Sequence, residues 1–174
     1  MDMPVEGVFH NCVIVSIDKR YPMQSRRLMS ALWGLGQMSF VKTIVTVDAD
    51  VNVHDYEEVA RILLSTVDFE TDLFFSEGIL DVLNHGSDQM LYGSKLGIDL
   101  TNKIEGELGY GKEDPSHAHP PAFPTQEAVI EVSPEVKAVA EIQNSILLVA
   151  LDKTVPNQGK QFIDSFFNHP NFST

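Results

Sequence analysis

The run CVIVSI (Cys12–Ile17), followed by DKRYP (residues 18–22), decides the fold more than any other stretch of this 174-residue sequence. Its apolar, β-branched residues predict a buried strand, and the charged residues and proline that follow predict a loop. A helix is expected next, because four apolar residues recur at helical spacing before Gly34 and Gly36. These four residues are Leu28, Ala31, Leu32 and Leu35.

A second unit of the same kind follows directly. Residues 43–47 alternate and are β-branched, which predicts a strand, and Asp55 is placed as the N-cap of the next helix with Glu58 three residues later. That helix has an apolar stripe of Tyr56, Val59, Ala60, Leu63, Leu64 and Val67. A third strand is expected at residues 73–76, and residues 78–95 look irregular. Strands alternating with helices predict an α/β fold with an open, mostly parallel sheet.

The rest of the chain has a different composition. Residues 109–126 are rich in proline and glycine, which predicts a linker or surface loop between a domain at 1–108 and an extension at 127–174. The extension is predicted as helix, strand and helix. Its first helix would begin at residues 133–135 and its strand would span Ile146–Leu151. The last helix would carry an apolar face of Phe162, Ile163, Phe166 and Phe167.

The extension also resembles the opening unit. At an offset of 134 residues, Val15, Asp18, Lys19, Pro22 and Gln24 recur as Val149, Asp152, Lys153, Pro156 and Gln158. A partial repeat of residues 12–34 is one interpretation, and the general likeness of all strand-loop-helix units is the other. We expect the strand at Ile146–Leu151 to extend a sheet edge, and the tail to contribute to self-association.

Charge and composition exclude several classes of function. Twelve Lys and Arg against 25 Asp and Glu give a net charge of −13, which disfavours nucleic acid and anionic membrane surfaces as partners. No apolar run approaches the ~18 residues of a membrane span, so we expect a soluble, cytoplasmic protein. The single cysteine, Cys12, is interpreted as a buried structural thiol.

Three side-chain clusters are candidates for chemistry. Asp48, Asp50 and Asp55 follow a strand end and have the spacing of a DxD site for a metal-bound nucleotide sugar, although Asp55 also suits a helix cap. His117 and His119 lie in the proline-rich segment and are expected to be solvated. Basic residues cluster near the first loop, where they would bind an anionic ligand or remain solvated. They are Lys19, Arg20, Arg26 and Arg27.

Three segments in the same order resemble the UbiD family of decarboxylases. They are residues 6–22 (EGVFHNCVIVSIDKRYP), residues 45–55 (VTVDADVNVHD) and residues 93–103 (GSKLGIDLTNK). The last two are similar to the family patterns VDxDVxVxD and GSKxGIDATxK. The resemblance covers about residues 4–107 and is to the carboxyl-terminal domain of a longer protein.

The resemblance implies that catalysis takes place elsewhere. In the family, prenylated FMN, a divalent metal (manganese), potassium and the catalytic Arg and acids belong to the preceding domain, so we expect no catalytic, cofactor or metal residue in this chain. By similarity, the chain is a fragment or an excised domain that packs on the flavin-binding domain, caps the substrate pocket and builds a homo-oligomer. The substrate would be an aromatic or α,β-unsaturated acid, for example a polyprenyl-hydroxybenzoate precursor of quinones.

The resemblance also places a substrate-facing loop at residues 79–85. Its predicted members are Ile79, Leu80, Asp81, Leu83, Asn84 and His85. Residues 84–90 follow the family only in part, which leaves the identity of the acid open. Two alternatives remain: a free-standing metal or nucleotide-sugar enzyme that uses Asp48, Asp50 and Asp55, and a pure assembly module.

Overall fold

The structure is a computed structural model that describes residues 1–4, 11–84, 86–87, 89–111, 124–142 and 146–169, without the side chain of residue 142. The chain divides into two compact units, Met1–His117 and Ala118–Thr174. Most of the predicted linker, residues 112–123, lies outside the described residues and so do both of its histidines, so the predicted domain boundaries stay predictions.

The first unit is built on a four-stranded sheet. Its strands are β1 (Cys12–Ile17), β2 (Thr43–Asp48), β3 (Leu73–Ile79) and β4 (Tyr92–Asp99), in the order β1-β2-β4-β3. β1, β2 and β4 are parallel, and β3 is an antiparallel edge strand joined to β4 by a hairpin. The open, mostly parallel α/β sheet is therefore confirmed. β2 thus has two parallel neighbours, β1 and β4. Half of β4, residues 92–95, lies in the stretch that the sequence pattern predicts to be irregular.

Two helices cover the sheet of the first unit. They are α1 (Gln24–Trp33), which is followed by a 3-10 helix at Gly36–Phe40, and α2 (Tyr56–Thr66). Val13, Val15 and Ile44 form one core cluster with α1, whereas Ile14, Val45 and Val47 form the other with α2. Cys12 packs against the second cluster, and burial raises the pKa of its thiol.

The buried face of α1 differs from the predicted one. Leu35 lies beyond the helix and is exposed, and Ala31 is exposed as well, whereas Met29 is fully buried. A β-carbon at Gly97 would lie 2.4 Å from the Met29 sulfur. Glycine at that position of β4 therefore allows α1 to pack closely on the sheet, a contact that helical periodicity alone does not reveal.

The second unit contains two helices and a separate two-stranded sheet. Its elements are α3 (Gln126–Val132), β5 (Val136–Ile142), β6 (Ile146–Leu151) and α4 (Gln158–Phe167). The helix predicted from residue 133 is wrong: α3 ends there, and β5 follows and pairs antiparallel with β6. The described partner of β6 is thus the strand before it, and not the edge of the four-stranded sheet. Among the residues that the structure describes, every helix is too short or too polar to cross a bilayer.

Candidate functional site

The hairpin loop, residues 80–91, contains most of the predicted substrate-facing residues. Its base is closed by the pairing of Ile79 with Tyr92 and by a hydrogen bond of 2.9 Å from Leu80 N to Leu91 O. Leu80 is 1% exposed. It therefore anchors the loop to the first unit through packing, while the residues after it extend outward.

Polar groups fix the backbone of the hairpin loop. Asp81 Oδ1 accepts a hydrogen bond of 2.8 Å from Leu83 N, and Asp81 O accepts one of 2.9 Å from Asn84 N. The Asn84 side chain bridges two elements, because its Oδ1 accepts from Lys42 Nζ at 3.1 Å and its Nδ2 donates to Ser87 Oγ at 3.1 Å. Asp81 and Asn84 are thus positioning residues for the loop. His85 lies outside the described residues.

The same loop exposes apolar side chains. Val82 is 68% exposed and Leu83 49% exposed, and Ile79, Met90, Leu91 and Tyr92 are also exposed. A cavity of about 320 Å³ lies beside the loop, lined by Lys42, Glu77, Tyr92 and loop residues. Neighbouring exposed apolar side chains such as those of Val82 and Leu83 are typical of a surface that contacts another molecule.

A second cavity, of about 540 Å³, lies at the carboxyl ends of β2 and β4. Lys103 Nζ lies 2.9 Å from Asp72 Oδ1 and 3.5 Å from Asp99 Oδ2 in its wall. Burial tends to raise the pKa of Asp99, but the Lys103 ammonium and the Thr101 hydrogen bonds outweigh it and lower the pKa below its ordinary value. Asp99 is therefore held ionised by partners within the chain.

The proposed DxD residues have structural partners in the same region. Asp55 accepts a hydrogen bond of 3.0 Å from Glu58 N, which confirms its role as the cap of α2. Asp48 Oδ2 accepts one of 2.9 Å from Asn102 N, and burial raises the pKa of its carboxyl group. Within the described ranges, no three His, Cys, Asp or Glu side chains are grouped so that they could hold a metal ion. This arrangement gives the metal-enzyme alternative no support.

The predicted basic cluster is largely occupied by contacts within the chain. Arg20 pairs with Asp18 at 2.6 Å, Arg26 Nη2 donates to Thr71 O at 2.7 Å, and the Arg27 guanidinium lies over the Tyr21 ring. Lys19 Nζ lies 2.6 Å from Glu107 Oε2, and both side chains are buried. Sequence analysis missed the role of Glu107 because 88 residues separate it from Lys19.

Another lysine, Lys95 on β4, was also missed. Lys95 is 2% exposed, and its Nζ donates hydrogen bonds to Ser39 O and Val41 O, each at 2.7 Å. Burial lowers the pKa of Lys95 to about 8. The lysine ties the 3-10 helix to β4 and lies within the segment that resembles the GSKxGIDATxK pattern.

Comparison with known proteins gives related chains that are much longer. A protein of Archaeoglobus fulgidus is 39% identical over 153 residues, which are 84% of this chain and 29% of that protein. One of Aquifex aeolicus is 42% identical over 135 residues, which are 78% of this chain and 25% of that protein. Both relatives are uncharacterized. The chain thus spans less than a third of the length of these relatives.

Solved structures share the fold. The UbiD-class enzyme HmfF of Pelotomaculum thermopropionicum, solved in complex with FMN, matches with a TM-score of 0.50 and 24% identity, over 60% of this chain and 23% of that one. The open form of vanillic acid decarboxylase of Sedimentibacter hydroxybenzoicus matches with a TM-score of 0.54 and 22% identity, over 57% and 22%.

The sequence itself matches a family model over residues 1–100, more than half of the chain. That model describes the 3-octaprenyl-4-hydroxybenzoate carboxy-lyase C-terminal domain. The matched residues include the hairpin loop and the strands β1, β2 and β4, and each of these strands contains part of one motif. The chain therefore belongs to the UbiD family, and its residues 1–100 correspond to the domain that lies at the carboxyl end of the family's proteins.

Proposed function

We propose that this chain caps the substrate pocket of a UbiD-class decarboxylase and contributes to its oligomerisation, while the reaction takes place in another domain. The substrate class would be an aromatic or α,β-unsaturated carboxylic acid, for example a polyprenyl-hydroxybenzoate precursor of quinones. The name of the family model and the vanillic acid decarboxylase among the structural relatives support this class.

The single observation that carries the capping proposal is the apolar character of the described residues of the hairpin loop. Leu80 anchors it, the Asp81 and Asn84 hydrogen bonds fix its backbone, and Val82 and Leu83 remain exposed. An apolar loop above a pocket excludes water, which favours loss of CO2 from a carboxylate that has left bulk solvent. Of the six residues predicted to face the substrate, Leu80 is buried and Asp81 and Asn84 hold the loop in place. Ile79, Leu83 and His85 are the three that we propose to contact the substrate.

We expect the larger cavity of the first unit to be unsuited to a flavin phosphate. The larger cavity at the sheet edge is lined by Asp48, Asp50, Asp72 and Asp99 with Lys103 as its one lysine, and carboxylates repel a phosphate. Prenylated FMN, manganese and potassium are accordingly proposed for the domain that precedes this one in the family. The flavin-binding domain would be the partner of the exposed hairpin loop.

The proposed oligomerisation rests on exposed apolar side chains of the second unit. Leu148 of β6 and Ile163 and Phe167 of α4 are each half exposed or more. Burying such side chains contributes about 1.5–3 kcal/mol each, so association with another polypeptide would stabilise this unit. A second copy of the enzyme is the proposed partner.

The capping proposal is tested in the full-length enzyme with Leu83→Ala. We expect kcat/KM to fall on the order of tenfold, which corresponds to about 1.4 kcal/mol, with the melting temperature unchanged. Leu35→Ala is the matched control, since Leu35 is exposed outside the loop, and it should leave both quantities unchanged. Unchanged kinetics with a lower melting temperature would make the loop a packing element only.

The location of catalysis is tested with the isolated chain. After reconstitution with prenylated FMN and manganese, it should show neither a flavin absorbance band at stoichiometric level nor release of CO2. A stoichiometric flavin spectrum would contradict the proposal.

If Leu83→Ala changes the mass measured by light scattering and not the kinetics, the assembly-module alternative is favoured.

A further inference from the structure

Two strand-turn-helix segments of the chain have matching bounds. β1 and α1 span Cys12–Ile17 and Gln24–Trp33, and β6 and α4 span Ile146–Leu151 and Gln158–Phe167. Every one of these bounds differs by 134. The offset is the one at which the sequence motif recurs, so equivalent residues of the two segments occupy equivalent positions.

The turns of the two segments also agree in their backbone geometry. Met23, before α1, has φ 62° and ψ 16°, and Asn157, before α4, has φ 61° and ψ 8°. Gln24 Oε1 accepts a hydrogen bond of 2.7 Å from Arg20 N, and Gln158 Oε1 accepts one of 2.7 Å from Thr154 N. The two turns therefore hold their lysine, Lys19 or Lys153, and the amide of the residue before the helix in the same local geometry.

The first turn binds a carboxylate. Glu107 Oε2 lies 2.6 Å from Lys19 Nζ, and Glu107 Oε1 accepts a hydrogen bond of 2.8 Å from Met23 N. Ile104 N donates to the same carboxylate at 2.9 Å. Burial tends to raise the pKa of Glu107, but Lys19 and the two amides lower it, so the bound group is ionised. The lysine and the N-cap amide are thus two of the three groups that hold it.

The equivalent groups of the second turn are Lys153 and Asn157 N. Lys153 is exposed, and among the described residues neither its Nζ nor Asn157 N has a hydrogen-bond or ion-pair partner. One acid, Glu135, lies near this helix start, but its carboxylate accepts from Ser133 Oγ and the Gln158 side chain. Glu135 therefore does not take the position that Glu107 takes in the first turn.

The helix that follows the second turn is also more exposed than its equivalent in the first segment. Met29 of α1 is fully buried, whereas its equivalent in α4, Ile163, is 53% exposed. Val155 is 49% exposed and its equivalent, Tyr21, is 42% exposed, so this position is open in both turns. In the first turn, the segment that carries Glu107 also contacts Pro22, since a β-carbon at Gly106 would lie 3.2 Å from Pro22 Cγ.

We propose that the turn between β6 and α4 is a carboxylate-binding site, in which Lys153 Nζ and Asn157 N–H bind the side chain of a glutamate from another polypeptide segment. The ammonium supplies the charge and the amide supplies direction, and both are reinforced by the positive end of α4. A glutamate is favoured over a free acid because the segment that carries Glu107 contacts Pro22 in the first turn, and the equivalent Pro156 is exposed.

The site is tested by NMR on the complete chain labelled with ¹⁵N. Propionate, which mimics the glutamate side chain, should shift the Asn157 amide resonance at constant ionic strength, and its neutral analogue propionamide should not. Lys153→Gln should weaken the propionate response about tenfold, the loss expected for one charge-assisted hydrogen bond. Lys153→Arg should largely restore it, and Lys160→Gln is the matched control within α4.

A second measurement separates a polypeptide ligand from a free acid. The probe is the acetylated peptide IEGELGY, which has the sequence of residues 104–110 around Glu107. It should shift Asn157 at a lower concentration than propionate, whereas the peptide with glutamine in place of its second glutamate should not. Equal responses to propionate and the peptide would assign the site to free carboxylates. No shift at Asn157, or an unchanged one in Lys153→Gln, would overturn the proposal.

Discussion

The strand-turn-helix segment of the first unit and that of the second have the same backbone and opposite surroundings. Lys19 is buried against Glu107, and Met29 is buried beneath α1, whereas Lys153 and Ile163 are exposed. The difference teaches that short-range contacts, such as the glutamine that closes each turn, are enough to set the local geometry. Burial and charge pairing come from residues distant in sequence. The largest energetic differences between the segments should therefore appear where the first one has a distant partner.

Glu107→Gln should have the largest effect of the variants considered. It leaves Lys19 buried without a negative charge, which costs about 3–5 kcal/mol when one partner of a buried pair is removed. Chemical denaturation of the first unit measures the loss. Glu105→Gln, an exposed acid two residues earlier, is the control and should change stability by less than about 0.5 kcal/mol.

The same comparison extends to the second turn. Lys153→Met removes an exposed lysine and should change stability by less than about 0.5 kcal/mol, whereas Lys19→Met should be strongly destabilising. Equal losses for the two lysine variants would show that the second turn is already filled in solution by a carboxylate of the same chain.

Lys95 is a second buried lysine of the first unit, and it differs from Lys19 because its partners are carbonyl oxygens rather than a carboxylate. Its folded pKa of about 8 lies below the ordinary value of 10.5, so the unfolded chain binds more protons between these values. Stability should therefore rise with pH across this window, by an amount on the order of 2–3 kcal/mol, and the penalty is fully present below about pH 8. Lys95→Met should abolish the slope, and Lys137→Met, at an exposed lysine, should not.

The sequence predicts those parts of the fold that depend on neighbouring residues. The bounds of β1 and β6 and the Asp55 cap follow from local pattern, and the structure confirms them. β4 was missed because Gly93, Lys95 and Gly97 occupy positions where a buried strand usually has apolar residues. These residues fit because of distant neighbours: Gly97 lies against Met29, Gly93 lies against Ser87 and Leu80, and Lys95 donates to carbonyl groups.

Other errors have the same physical origin. Residues 133–135 have the composition of a helix start, yet Ser133 ends α3 and pairing with β6 makes the following residues a strand. The apolar character of the hairpin loop could be read from the sequence, but its hydrogen bond from Lys42 to Asn84 spans 42 residues and could not. The predicted substrate contacts of the loop stay predictions.

The glutamines that close the two turns should differ in energy. Gln24→Ala removes the acceptor of one turn amide, at a cost of about 0.5–1.5 kcal/mol, whereas Gln158→Ala removes the acceptor of both Thr154 N and Val155 N and should cost more. Amide hydrogen exchange of Arg20 and Thr154 measures each turn separately. A loss at Thr154 alone would show that Glu107, and not Gln24, maintains the first turn.

The smallest expected effect concerns the residue before each helix. Met23 and Asn157 both have positive φ, and asparagine tolerates this conformation better than methionine because its short polar side chain can hydrogen-bond locally. Met23→Asn, which places the residue of the second turn in the first, should therefore stabilise the first unit by a few tenths of a kcal/mol up to about 1 kcal/mol. The reverse change, Asn157→Met, should destabilise the second unit by a similar amount. Thermal unfolding of the two variants measures both effects. A loss of stability in Met23→Asn would show that packing of the half-buried methionine outweighs the backbone strain, and that the two turns are alike in geometry but not in what stabilises them.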